Sequence, residues 1–432
     1  MEFRVVIVLV VSLSLIGGAF GESRAQTPGG AAAISVTLKV DASAAVLFAD
    51  MMKHIRTEND DFFAKGIDVI PAAMVSDRVN RNRRDPQLSE MIDSLLSLPA
   101  YAELSRIMRS FAPEKLAGRS AYREALYRLP WMRTRLMGGV GEQYMELLRK
   151  FDTATEERVA DLAERIGSEA FAAGVRSKVA EWLPPSLAED FHDTVTVYVY
   201  LDGNRGCFRK GGSIYIDLMQ SALSDLASDS ACAAMIGCSA AHELHHIIYG
   251  NWLAGLPKDD ANSRSWRDRA LKDWRDAVLT EGAARFCDRE NLPDCARQMA
   301  VDERLGEEIF ATWESVFLRL SKGDIPENEY LAMKTSFEQD RALKWFKQYL
   351  TAHYAPSTAR SLLKKYPAYR PVPHYYVGYR IFSEILDTGG KSAFFYAMLH
   401  PDEFLDIYYD AATADNQAPQ ISEEAVARWA GL

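Results

Sequence analysis

Three of the chain's eight histidines fall within five residues, in the stretch CSAAHELHHIIYG from Cys238 to Gly250. His242 and His246 are four apart, so on a helix their imidazoles project from one face, roughly 40° apart around the axis. That spacing lets two neutral imidazole nitrogens reach one zinc ion at about 2 Å each. Glu243 lies on the same half of the helix, placed to take a proton from a water at such an ion without being a ligand. His245 is the odd member. Its own i±4 neighbours, Ala241 and Tyr249, do not ligate in the usual way, and pairing it with His242 would leave Glu243 without a role. It reads as a supporting or surface imidazole.

A catalytic zinc site takes three protein ligands and keeps a fourth position open. The residues after the motif, IIYGNWLAGLPK, contain no histidine. The best third ligand is Glu281, in DAVLTEGAARFCD on the next amphipathic helix, beside Gly282, which would let two helices approach closely. The set implies one zinc ion per chain. Asp288 lies two turns beyond Glu281 on the same face and could hold the second ring nitrogen of a ligand histidine, with Asp276 as the alternative.

The elements that must carry these residues show in the pattern around them. A helix is expected from Asp229 to about Tyr249, closed by Gly250 as a left-handed cap, and a second from Trp266 to about Arg289. Before them TVTVYVYL (Thr194 to Leu201) and SIYIDL (Ser213 to Leu218) alternate as strands, joined by the Gly-rich loop DGNRGCFRKGG. From Leu47 to Leu183 the apolar spacing is helical, and Leu183 to Ser186 (LPPS) breaks it. Val301 to Leu432 is again helical and rich in aromatic residues. The fold class is therefore α+β, mostly helical, with a small mixed sheet. The expected organisation is an N-terminal helical region over 26–190, a zinc-binding core over 191–300, and a C-terminal helical region over 301–432 that completes the cleft.

Residues 1–25 form a separate unit. Arg4 is followed by an apolar run and then by small residues, the pattern of a signal peptide for export to the periplasm or medium. No later segment approaches the length of a membrane span. The formal net charge of −10 leaves no basic surplus for nucleic acid. Of the five cysteines, Cys287 and Cys295 flank a short polar loop that a disulfide could close.

His242-Glu243-Leu244-His245-His246, with Glu281-Gly282-Ala283-Ala284, resembles the gluzincin metallopeptidases, the thermolysin-like group whose third zinc ligand is glutamate. The resemblance covers roughly Thr194 to His400 and implies a gluzincin-like catalytic core between flanking helical regions. It also implies that Tyr375, in HYYVGYRIFSEILDTGG with Gly378 three residues on, donates to the oxyanion, with the adjacent Tyr376 as the alternative. Ser213–Leu218 would be the edge strand that pairs with an extended peptide or protein substrate. The interval between His246 and Glu281 exceeds that of the aminopeptidase branch, and its Gly-Ala-Met-Glu-Asn segment is absent, which favours an exported bacterial branch. The implied activity is zinc-dependent hydrolysis of peptide bonds. The alternatives are a zinc protein of the same fold that binds without turnover, or a hydrolase of non-peptide amides or esters.

Overall fold

In the computed structural model the described residues are 34–59, 72–111, 123–124, 126–127, 153–201, 207–218, 228–256, 265–288, 303–330, 373–414 and 418–432. The segment 1–25 lies outside them. In chain order the elements are β1 (Thr37–Asp41), α1 (Ser43–Thr57), α2 (Ala72–Arg84), α3 (Pro86–Ser97), α4 (Pro99–Phe111), α5 (Thr153–Ile166), α6 (Glu169–Trp182) and α7 (Pro185–Asp190). There follow β2 (Thr194–Tyr200), β3 (Cys207–Lys210), β4 (Ser213–Asp217), α8 (Asp229–Gly255), α9 (Trp266–Asp288), α10 (Glu303–Lys322), α11 (Pro373–Leu399), α12 (Phe404–Ala414) and α13 (Glu423–Trp429). The protein is mostly helical with one small mixed sheet. Among the described residues no helix is long and apolar enough to cross a membrane.

The chain divides into two units. The first, Thr37–Gly174 with Thr194–Ala240, holds the sheet. Its order is β1-β2-β4-β3, with β1 and β4 parallel to β2 and β3 antiparallel to β4. Alternation puts Val195, Val197 and Val199 of β2 and Ile214 and Ile216 of β4 into the core. On the other face Tyr198, Tyr215 and Phe208 form a cross-strand row, with ring centroids 5.2 and 4.8 Å apart. Two expectations need correction here. The loop between the strands contains a strand of its own, β3. Because β3 pairs with β4, Ser213–Asp217 is not an edge but has neighbours on both sides; among the described strands the edges are β1 and β3. In the helical part of this unit Asp85 caps α3 by accepting from the Leu88 N–H (3.0 Å) and meets His54 Nε2 at 2.7 Å.

The second unit comprises Val175–Asp193 with Ala241–Leu432. Its part of α8 is apolar nearly all round, as a helix that runs through a core must be; Ala241, Leu244, Ile248 and Tyr249 are buried. It does not stop at Gly250. Gly250 is helical rather than a left-handed cap, and the helix runs on to Gly255. α9 begins with a capping box, in which the Asp268 N–H donates to Ser265 Oγ (3.2 Å) and the Ser265 N–H donates to Asp268 Oδ2 (3.0 Å).

α9 and α11 touch through backbone. A Cβ added to Gly282 would stand 2.6 Å from Gly378 Cα, so the crossing admits no side chain at either position. Gly282 therefore permits the close approach expected of it, but toward α11 rather than toward the histidine helix. Further along, α11 kinks at Gly390 (φ 68°). Beyond the kink Phe394 packs between Trp182 (5.7 Å between centroids), Phe286 (4.8 Å) and Phe382 (4.8 Å).

Candidate metal centre

α8 delivers His242, Glu243 and His246, and α9 delivers Glu281. The sequence expectation that these elements meet is met in the structure. His242 Nε2 and His246 Nε2 face each other at 2.9 Å, and Glu281 Oε2 lies 3.1 Å from His246 Nε2 and 3.5 Å from His242 Nε2. Ligands about 2.0–2.1 Å from a tetrahedral ion are separated from one another by about 3.3 Å. The three observed separations bracket that value, so the donor set fits a zinc ion. Among the described residues this is the one cluster of three or more His, Cys, Asp or Glu side chains that could hold a metal ion.

The electrostatics point the same way. Burial disfavours charge on His242, yet Asp288 and Glu281 outweigh it and hold its pKa up at about 10. Burial alone would raise Glu281, but His246 and His242 hold its carboxyl well below the ordinary range. Two half-buried carboxylates around the imidazoles make a negative potential that favours a cation between them.

Asp288 takes the supporting position. Its Oδ2 lies 3.4 Å from His242 Nδ1 and accepts from Arg285 Nη1 at 2.9 Å. Asp276 does not serve this role; it pairs with Arg275 and Lys272. His245 lies outside the cluster and is no surface group. It is fully buried, and its Nε2 donates to the Trp182 carbonyl at 3.2 Å, with its ring edge-on to Tyr249. Burial, aided by the nearby His246, pushes its pKa down to about 3 and keeps it neutral. Cys287 is buried on α9, while Cys295 lies outside the described residues.

Glu243 is half-buried and makes no hydrogen bond or ion pair with any described residue. Tyr375 is on α11, but its side chain lies outside the described residues; Tyr376 beside it is buried. Sequence reading missed His374, one residue before Tyr375. Its ring is 6.4 Å from that of Trp274 on α9 and feels the charge of Glu281, while burial keeps its pKa at about 4. The only available signal was its place one turn before Gly378, on the side that faces α9.

No curated protein and no solved structure matches the chain. Residues 92–343, more than half of the sequence and including α8 and α9, match the family DUF5700, described as "Putative zinc dependent peptidase", and the chain belongs to that family.

Proposed function

We propose that this protein is a zinc-dependent metallopeptidase of the gluzincin type, with His242, His246 and Glu281 holding one zinc ion and Glu243 acting as general base. The observation that carries the reading is the convergence of His242 Nε2, His246 Nε2 and Glu281 Oε2 within 4.8 Å of one another. The family description supports zinc and peptide hydrolysis in general; the thermolysin-like core and the catalytic roles are part of the proposal.

A zinc ion held by His242, His246 and Glu281 would supply Lewis-acid chemistry, acidifying a water and polarising the scissile carbonyl. The chain's own residues do the rest. Glu243, with no partner among the described side chains, is available to take the proton of the attacking water and to hand it to the leaving amine. Tyr375 is assigned the neutral hydroxyl donor for the oxyanion, a role that leaves its proton in place. The substrate is a peptide or protein. Since Ser213–Asp217 is internal to the sheet, main-chain pairing with substrate is not assigned to that strand. The N-terminal 25 residues support export to the periplasm or medium.

The test is metal analysis of the purified protein together with assays on a mixed peptide library, with and without chelator. One zinc per chain and chelator-sensitive cleavage are expected. Glu243→Gln should keep the zinc and lose hydrolysis; full turnover in that variant would remove the mechanism. Stoichiometric zinc with no cleavage of any peptide would favour a binding role instead.

A further inference from the structure

Glu281, Arg285 and Asp288 recur at i, i+4 and i+7 on α9, so they form one stripe along the helix. Two of them address the same imidazole. Glu281 Oε2 stands 3.5 Å from His242 Nε2, and Asp288 Oδ2 stands 3.4 Å from His242 Nδ1. His242 thus has a carboxylate from one helix at each ring nitrogen. The third member, Arg285, donates through Nη1 to Asp288 Oδ2 at 2.9 Å, the same oxygen that faces His242. The other oxygen, Oδ1, is buried without a hydrogen bond, so Arg285 is the one strong donor fixing this carboxylate among the described residues.

An i,i+3 pair at a helix surface is worth a few tenths of a kcal/mol and has no consequence beyond the helix. This pair differs because its shared oxygen is aimed at a ligand. An imidazole can give its Nε2 lone pair to a metal only when its proton sits on Nδ1, and that tautomer needs an acceptor at Nδ1. Asp288 Oδ2 is the acceptor that faces Nδ1, 3.4 Å away and short of a completed hydrogen bond, and the guanidinium is what keeps it there. We propose that Arg285 is a positioning residue for the metal centre, acting through Asp288 to hold His242 with Nδ1 as donor and Nε2 free toward the ion. This rests on the metal-site reading above and extends it to a residue that never touches the metal.

The experiment is zinc affinity by chelator competition on the full chain, for wild type, Arg285→Met, Arg285→Lys, Asp288→Asn and the Arg285→Met/Asp288→Asn double variant. Loss of an outer-shell partner typically weakens metal binding by about 10- to 100-fold. We expect that loss in Arg285→Met, partial recovery in Arg285→Lys, and a double variant no weaker than Asp288→Asn alone, because both changes break one chain of contacts. The d–d absorption of the cobalt-substituted proteins should shift in parallel, and thermal unfolding in chelator should not. Unchanged affinity in Arg285→Met, or losses that multiply in the double variant, would overturn the proposal. If Arg285→Met fails to fold, Arg285→Gln and Arg285→Lys decide by the same comparison. A wild type that binds no zinc would refute the metal-site reading itself, whereas a zinc-binding wild type with an indifferent Arg285 would refute only this inference.

Discussion

Gly282 and Gly378 are in backbone contact: a Cβ on Gly378 would lie 2.8 Å from Gly282 Cα and would also meet the Val278 carbonyl. This crossing fixes the height of α9, and Glu281 is the residue immediately before it. The position of Glu281, the proposed third ligand, therefore depends on two residues that have no side chain.

Gly282→Ala and Gly378→Ala should each force the helices apart. Overpacking of this kind costs about 1–3 kcal/mol or more, and the shift should carry Glu281 away from the two histidines. Lower zinc affinity together with lower thermal stability is expected. Alanine at both positions with unaltered zinc affinity would show that the crossing does not set the ligand.

His245 and His246 are neighbours with different work, and substitution should separate them. His246→Ala removes a donor from the cluster and should abolish tight zinc binding. His245→Ala leaves the Trp182 carbonyl without its donor, at a cost of about 1–3 kcal/mol for the unsatisfied group. Metal analysis should still find one zinc in His245→Ala. Lost metal in that variant, with the fold retained, would mean His245 belongs to the coordination set.

Acid should weaken the metal-free fold before the carboxylates titrate. His245 and His374 are held neutral at about 3 and about 4 in the folded protein, against 6.5 when exposed. Below pH 6.5 the unfolded chain binds protons that the folded chain refuses, so stability falls as pH drops from 6.5 toward 4. Each imidazole contributes up to about 1.4 kcal/mol per pH unit. His242, raised to about 10, acts in the opposite sense, but only above pH 6.5. Urea unfolding in chelator at pH 6.5 and 5 should show this slope, reduced in His245→Gln. A flat profile over that window would mean both rings protonate in the native state.

Tyr375→Phe tests the oxyanion assignment. Removing one such donor costs about 100- to 1,000-fold in kcat. The expected result is that loss with KM and zinc content unchanged. Full kcat in Tyr375→Phe, with a deficit in Tyr376→Phe, would transfer the role to the neighbouring tyrosine.

What the sequence determined by itself is the part set by local geometry. Helical periodicity obliges His242 and His246 to share a face and puts Glu243 beside them, whatever surrounds the helix. The same periodicity aligns Asp288 with Glu281 whatever their partners, and alternation locates β2 and β4. The tertiary structure decided what local spacing leaves open. β1 joins the sheet beside β2 although the two are far apart in sequence, and β3 turns β4 from an edge into an interior strand. α8 passes through Gly250, with Trp252 stacked on Tyr249 and Leu253 buried in the turn beyond it, although glycine there would also suit a helix end. Asp288 rather than Asp276 faces His242, and His245 meets the Trp182 carbonyl rather than the cluster, because α9 and Trp182 lie where the packing of the unit puts them. Spacing along one helix names the donors; only the contact between helices, made at Gly282 and Gly378, brings the third within reach of the other two.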